Sequence, residues 1–227
     1  MYTNKELEDI YNKRYSEKES QVNNREVVIY NKYRNLLIPT RFRESGQVSN
    51  LDLGCGRGHK TIGFSRGFKR VLAIDISSNV ISHCNELYND SSIEFKAIDA
   101  TEIKEKFNLI SAFGFSLFNT PDNDKFLSNL DLFIVNNLEM DEESFFIIGS
   151  FTDFSGKGKD SWYLHTKKDL DYISKKIEAK YQAKVKLIFP HKRISNYFGS
   201  GIVNFAAEVV KLIKKKKRTF FIVIEHG

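Results

Sequence analysis

Short hydrophobic runs, separated by polar helix-like segments, are the main pattern in the central part of the chain. Five of these runs have the length and apolar character of buried β-strands. They comprise residues 49–53, 71–75, 93–99, 108–115 and 144–151. Helices are predicted between some of them, over residues 78–87 and 122–137. Because strands alternate with helices, the pattern predicts an α/β fold whose mostly parallel sheet is covered by helices on both faces.

Two helices are predicted before the first strand, over residues 4–18 and 24–37. In the second, apolar and aromatic residues recur at spacings near three and four, as expected for a helix that buries one face. Pro39 closes this helix, because a proline disfavours the helical conformation of the residue before it. We expect these helices to form an N-terminal cap over residues 1–40.

The pattern is looser after the fifth strand. Residues 151–165 predict a long loop, and Thr166 followed by Asp169 predicts a capping box that opens a helix to about Lys180. Two strands and a helical insertion between them follow. The strands are predicted over residues 184–190 and 219–227, and the helix over about residues 202–217.

The composition is that of a folded protein with one main domain. The chain has 227 residues, of which 41% are hydrophobic and 28% charged, and only three prolines, so long disordered linkers are not expected. We expect a single domain with a cofactor-binding core over residues 48–152 and a substrate-side part over residues 153–227. No signal peptide or membrane span is predicted. Because two cysteines allow at most one disulfide, we expect a reduced, cytoplasmic protein.

Much of the net charge of +6 comes from one basic run, residues 214–218. This run ends the predicted helix over residues 202–217, whose apolar stripe predicts that it docks on the protein. Lysines at the carboxyl end of a helix are solvated and mildly stabilising, which accounts for the run. The alternative is a patch that binds RNA or an anionic surface, and it stays open at this stage, as does the oligomeric state.

The segment L-D-L-G-C-G-R-G-H-K, over residues 51–60, ends the first predicted strand with glycines at every second position. Gly54, Gly56 and Gly58 predict a tight turn whose backbone a ligand can approach closely. Asp75 ends the second predicted strand, where a carboxylate can accept hydrogen bonds from both hydroxyl groups of a ribose. The two features together predict a site for a cofactor that contains a nucleoside.

Two details distinguish between the possible cofactors. Dinucleotide-binding turns have the spacing G-x-G-x-x-G and direct the amides of a helix N-terminus at a pyrophosphate. Here the third glycine comes one residue earlier. Asp52 is poorly placed for a diphosphate but suits a cationic amino acid. A ribose, a positive amino-acid end and no phosphate are the features of S-adenosylmethionine.

The chain resembles the class I S-adenosylmethionine-dependent methyltransferases from about residue 49 to residue 151, and more loosely beyond. L-D-L-G-C-G-R-G, V-L-A-I-D and A-I-D-A-T-E resemble the first three motifs of that family. The resemblance implies a Rossmann-like, seven-stranded sheet with an antiparallel last strand. It also implies S-adenosylmethionine as the cofactor and S-adenosylhomocysteine as the product.

The same resemblance implies a role for individual residues. Asp52 and the glycine turn would hold the methionine part, Asp75 the ribose hydroxyls, and Asp99 with Ala100 the adenine edge. The implied cofactor contacts are Asp52, Gly54, Cys55, Gly56, Gly58, Asp75, Ile76, Asp99, Ala100 and Phe113.

The acceptor is expected near the loops after the fourth and fifth strands and near the N-terminal helices. Residues 114–121 lack the N-P-P-Y segment of many nitrogen methyltransferases, and no Pro-Cys nucleophile is present. Both absences disfavour a nucleobase as acceptor. No metal site is predicted. The candidate acceptor contacts are Phe115, Ser116, Asn119, Trp162 and Tyr163.

His165 follows the long loop and is the candidate general base, because a histidine can take a hydroxyl proton near neutral pH. The alternative for His165 is a loop histidine that hydrogen-bonds to the backbone. The sequence thus predicts methyl transfer to a small-molecule or sugar-containing acceptor, with oxygen favoured over nitrogen. Two other functions stay open: an RNA or protein methyltransferase that uses the basic helix, and a cofactor-binding partner subunit without catalysis.

Overall fold

The computed structural model of the chain describes residues 4–14, 23–140, 142–152, 162–190 and 218–227. The strands are β1 (Ser49–Leu53), β2 (Arg70–Asp75), β3 (Ile93–Ala97), β4 (Leu109–Phe113), β5 (Ser144–Thr152), β6 (Lys184–Ile188) and β7 (Arg218–His226). The helices are α1 (Asn4–Arg14), α2 (Asn24–Leu37), α3 (Thr40–Arg43), α4 (His59–Phe64), α5 (Ser78–Leu87), α6 (Asn123–Asn137) and α7 (Lys167–Tyr181). The predicted helix over residues 202–217 and most of the predicted loop over residues 151–165 lie outside the described residues.

The seven strands form one sheet in the order β3-β2-β1-β4-β5-β7-β6. The pairs among β1 to β5 are parallel, whereas β7 is antiparallel to both β5 and β6. This topology confirms the Rossmann-like, mostly parallel sheet that was predicted. The strand order reverses between β1 and β4. In open sheets of this kind, ligands bind outside the carboxyl ends of the strands at such a point.

Among the strands that end earlier than predicted, β3 and β4 do so for local reasons. β3 ends at Ala97, and the Asp99 carboxylate then caps a short 3-10 turn by accepting a hydrogen bond from the Thr101 amide at 2.8 Å. β4 ends at Phe113, because the φ angle of Gly114 is +75°, a conformation that does not continue a strand.

Alternate residues of the central strands face two separate hydrophobic layers. On β5, Phe145 and Ile147 pack in the same layer as Tyr33 of α2. Phe146 and Ile148 pack in the opposite layer, together with buried residues of α6 and α7. Helices therefore cover both faces of the sheet, as the alternation of strands and helices predicted.

The N-terminal helix α1 contacts the start of α5, directly after β2. The side-chain oxygen of Asn12 accepts a hydrogen bond from Ser77 Oγ at 2.6 Å, and the Glu8 carboxylate accepts one from Ser78 Oγ at 3.1 Å. These contacts bring α1 next to the carboxyl end of β2.

The second helix, α2, packs closely on α4 at Gly63. A Cβ atom added at Gly63 would lie 2.2 Å from the carbonyl oxygen of Val27, well inside the contact distance of any two non-bonded atoms. The lack of a side chain at Gly63 therefore sets how near α2 comes to α4 and to the sheet beneath it.

Replacing Gly63 with alanine should push α2 away from α4. We expect Gly63→Ala to lower the free energy of unfolding by about 3 kcal/mol, the upper end of the usual cost of overpacking, because the obstacle is a backbone carbonyl that no rotamer change can move. Urea denaturation, followed by circular dichroism, measures this.

Gly46→Ala is the matched control, since an added Cβ there meets no atom within 4 Å. The φ angle of Gly46 is +69°, so the control should cost only about 1 kcal/mol of left-handed backbone strain. Equal losses for the two variants would contradict the close-packing interpretation of Gly63.

Candidate active site

A cavity of about 630 Å³ lies at the point where the strand order reverses. Its lining comes from the loops after β1, β2, β3 and β4, with further residues from α1, α2 and the end of β5. The predicted cofactor contacts that line it are Gly54, Cys55, Gly56, Gly58, Asp75, Ile76, Asp99, Ala100 and Phe113. The predicted acceptor contacts that line it are Phe115, Ser116 and Trp162.

The glycine turn between β1 and α4 forms one wall of this cavity. Gly54, Gly56 and Gly58 have φ angles of +70°, +52° and +74°, a region that residues with a Cβ atom rarely adopt. Space is also restricted, because a Cβ atom at Gly58 would lie 2.7 Å from the ring of Tyr88. Three glycines in this spacing therefore follow from the shape of the turn.

Asp75, the last residue of β2, holds the glycine turn in place. Its Oδ2 accepts a hydrogen bond from the Gly56 amide at 3.0 Å, and its Oδ1 accepts one from the Ser77 amide at 3.0 Å. Burial raises the pKa of this carboxyl group, and the hydrogen bonds from backbone amides oppose that rise. Each carboxylate oxygen can accept a second hydrogen bond, so Asp75 can still accept two hydroxyl groups from a ligand in the cavity.

Asp52 does not line the cavity, in contrast to the role that the resemblance implied. Its side chain is 2% exposed and accepts hydrogen bonds from Thr61 Oγ1 at 2.6 Å and from Ser111 Oγ at 2.8 Å. Burial raises the pKa of Asp52, and these two hydroxyl groups oppose the rise. The carboxylate therefore ties α4 and β4 to β1 from within the protein.

Three charged residues that line the cavity, Glu26, Arg57 and Lys60, were not among the predicted site residues. Lys60, from α4, donates a hydrogen bond from Nζ to the carbonyl oxygen of Phe113 at 3.1 Å. Glu26, from α2, is half-buried and lines the same cavity. Burial lowers the pKa of Lys60, while the carboxylates of Glu26 and Asp52 oppose this shift.

An aromatic and apolar wall lies on the side of the cavity formed by the loops after β4 and β5. It consists of Phe115, Leu117, Phe151 and Trp162. The ring centroids of Phe151 and Trp162 are 6.5 Å apart and their planes are nearly perpendicular. Such a wall can hold an apolar or planar ligand group.

His165 is fully buried and does not line the cavity. Its Nε2 lies 3.3 Å from the carbonyl oxygen of Phe118, and its ring packs edge-on against Phe126 and Phe220. Burial lowers the pKa of the imidazole. His165 thus fits the alternative of a histidine bonded to backbone, and we assign it no role as a base.

Asn119 and Tyr163, two of the predicted acceptor contacts, also lie outside the cavity lining. The Asn119 Oδ1 accepts a hydrogen bond from the Tyr163 amide at 2.6 Å, and the Tyr163 hydroxyl donates one to Asp169 Oδ2 at 2.8 Å. Asp169 also completes the predicted capping box with Thr166. Asn119 and Tyr163 therefore join the loop after β4 to the start of α7.

Two kinds of feature are absent from the described residues. They contain no group of three or more His, Cys, Asp and Glu side chains that could hold a metal ion. Nor does any helix in these parts of the chain have the length and apolar character needed to cross a membrane.

Comparisons with known proteins agree with the fold and with the glycine turn. Residues 51–133 match a family model described as a methyltransferase domain. A sequence search of curated proteins found no match.

Solved structures share the fold at low sequence identity. Magnesium protoporphyrin IX methyltransferase from Synechocystis PCC 6803, with bound S-adenosylmethionine, aligns with a TM-score of 0.63 at 11% identity, covering 100% of this chain and 98% of that chain. The N-methyltransferase NodS from Bradyrhizobium japonicum WM9 gives 0.57 at 14% identity, covering 91% and 99%. Geranyl diphosphate C-methyltransferase from Streptomyces coelicolor A3(2) gives 0.56 at 13% identity, covering 86% and 80%.

The burial of His165 predicts a specific pH dependence of stability. A folded-state pKa below the usual value means that the unfolded chain binds a proton that the folded chain does not, so the free energy of unfolding falls as the pH drops below about 6.5. One such group contributes a slope of at most about 1.4 kcal/mol per pH unit. His165→Gln keeps a donor near Phe118 and should flatten the profile. Urea denaturation between pH 5 and 8 measures the two slopes, and identical slopes would contradict the assignment.

Proposed function

We propose that this chain, whose residues 51–133 are a methyltransferase domain of the class I S-adenosylmethionine-dependent type, transfers the methyl group to a small molecule. The observation that carries the proposal is that one cavity joins the glycine turn and Asp75 to the aromatic wall. Its volume of about 630 Å³ lies within the usual range for small-ligand sites. A cofactor and the reacting part of an acceptor can therefore meet inside it.

Three parts of the cavity lining contact S-adenosylmethionine in this proposal. Asp75 accepts hydrogen bonds from the two ribose hydroxyls with the lone pairs that the Gly56 and Ser77 amides leave free. The glycine turn allows close approach of the amino-acid end to the backbone. Asp99 and Ala100 contact the adenine edge.

The residues of the chain act on the reaction by positioning. When bound, S-adenosylmethionine would supply a methyl group on a positively charged sulfur atom, and that sulfur would keep the C–S bonding electrons when a nucleophile of the acceptor takes the methyl group. Phe115, Phe151 and Trp162 hold the acceptor and exclude water from this side of the cavity. Positioning of this kind can lower a barrier by about 7–11 kcal/mol.

A small acceptor is favoured over a polyanion by the charges of the cavity. Among the lining residues that the structure describes, Glu26, Asp75 and Asp99 are acidic, while Arg57 and Lys60 are basic. A nucleic-acid groove would be predominantly basic. Two of the compared structures, the magnesium protoporphyrin IX and geranyl diphosphate methyltransferases, are named for small acceptors. With His165 buried, the preference for oxygen depends only on the missing N-P-P-Y segment.

Asp75→Asn tests the cofactor assignment. An amide has one acceptor oxygen instead of two and no charge, so we expect the dissociation constant for S-adenosylhomocysteine to rise by at least about 100-fold. Isothermal titration calorimetry of wild type and variant measures it, with NAD as a ligand that neither protein should bind.

The matched control is Asp122→Asn. Asp122 likewise accepts two backbone amides, those of Asp124 and Lys125, at the start of α6 and does not line the cavity. It should leave the dissociation constant unchanged. Binding of NAD by the wild type, with no binding of S-adenosylmethionine or S-adenosylhomocysteine, would overturn the proposal.

The acceptor is identified by incubating the protein with methyl-labelled S-adenosylmethionine and pools of small molecules, glycans and RNA. With the acceptor found, Trp162→Ala should raise its KM by about 10- to 100-fold, the effect of losing the burial of one large aromatic side chain. The affinity for S-adenosylhomocysteine should not change. Tyr172→Ala, on the exposed side of α7, is the control for loss of an aromatic ring outside the cavity.

Two results would contradict the small-molecule proposal. Label incorporated into RNA, with an activity that falls steeply as salt rises, would favour a polyanionic acceptor. Tight binding of S-adenosylhomocysteine without label in any pool would favour a partner subunit without catalysis.

A further inference from the structure

Lys60 presents an incompletely paired ammonium group to the cavity. Its Nζ donates to the carbonyl oxygen of Phe113 at 3.1 Å and lies 5.8 Å from the centre of the Tyr30 ring. Within the described parts of the chain it has no other hydrogen-bond acceptor and no carboxylate within 4 Å. Since an ammonium group has three donors, donors of Lys60 remain available to a ligand.

Two carboxylates near Lys60 partly oppose the effect of its burial. Burial lowers the pKa of Lys60, and the nearby carboxylates of Glu26 and Asp52 act in the opposite direction. Both oxygens of Asp52 already accept hydroxyl groups, from Thr61 and Ser111. Asp52 therefore contributes to the field around Lys60 without occupying its donors.

A partly desolvated cation with free donors is best satisfied by an anionic ligand group, through a charge-assisted hydrogen bond. The position of Lys60 indicates which end of the cavity would bind the anionic group. Its partner Phe113 ends β4, and a Cβ atom at the next residue, Gly114, would lie 3.7 Å from Nζ. This end adjoins the glycine turn and Glu26, whereas Asp75 ends the strand on the other side of β1.

S-adenosylmethionine has one anionic group, the carboxylate of its methionine part, and an ammonium group on the same carbon atom. We propose that Lys60 binds this carboxylate and that Glu26 accepts the adjacent ammonium group. The inference depends on the proposed function, because it assigns the amino-acid end of the same cofactor. It makes Lys60 a binding residue that distinguishes the full cofactor from adenosine derivatives without the carboxylate.

The test compares two ligands on two proteins. One ligand is S-adenosylhomocysteine, and the other is 5′-(3-aminopropylthio)-5′-deoxyadenosine, which is the same molecule without its carboxylate. Isothermal titration of the wild type should show a preference of about 10- to 100-fold for S-adenosylhomocysteine, the range for one hydrogen bond to a charged group. In Lys60→Met, which keeps a long apolar stem, the preference should fall to within about threefold, through loss of S-adenosylhomocysteine affinity alone.

Two further variants make the result specific. Lys60→Arg keeps a positive charge and should retain most of the preference. Lys69→Met removes an exposed lysine that bonds to Gln47 and does not line the cavity, so both affinities should equal those of the wild type. Binding of the carboxylate-free ligand by Lys60→Met also reports that the variant is folded.

The outcomes separate the two proposals. If the wild type binds S-adenosylhomocysteine and Lys60→Met keeps the preference, the assignment of Lys60 is overturned and the proposed function stands. An equal loss of affinity for both ligands in Lys60→Met would also overturn it, because that result indicates a structural role. If the wild type binds neither ligand, the proposed function itself fails.

Discussion

The hydrogen bond between the Gly56 amide and the Asp75 carboxylate fixes the geometry on which the whole site depends. It joins the turn after β1 to the end of β2, and through the Ser77 amide it reaches the start of α5. The turn can take this shape only because its glycines have positive φ angles. Because α4 and its Lys60 directly follow the turn, this connection helps to position them.

Asp52 provides the second support, from inside the protein. On β1, Leu51 and Leu53 face the hydrophobic layer under α6 and α7. Asp52 points the other way, where Thr61 and Ser111 supply its hydroxyl partners. An acid between two leucines is therefore the expected pattern of a strand with one apolar and one polar face. A buried carboxylate is tolerated there because both of its oxygens are hydrogen-bonded.

Much of the fold could be predicted because its signals are local. Strand runs, the end of α2 before Pro39 and the capping box at Thr166 depend on neighbouring residues alone, and the structure agrees with them. Asp75 and the glycines were recognisable from their spacing. Lys60 and Glu26 could not be recognised in this way. They come near each other only because α2 packs closely on α4 at Gly63.

His165 is a residue that the sequence pattern suggested for the site and that the structure places outside the cavity. In the sequence it follows a long loop, and that position made it the candidate general base. In the structure, the residues around it are held to β5, since the Thr152 hydroxyl bonds to the His165 carbonyl and the His165 amide bonds to Phe151. The order of the strands has a consequence for synthesis. Of the described strands, only β7 pairs with β6, and it is made after β6. Residues 184–188 are therefore synthesised before their hydrogen-bonding partner, and until β7 pairs with them they present an unpaired strand of the kind that promotes aggregation.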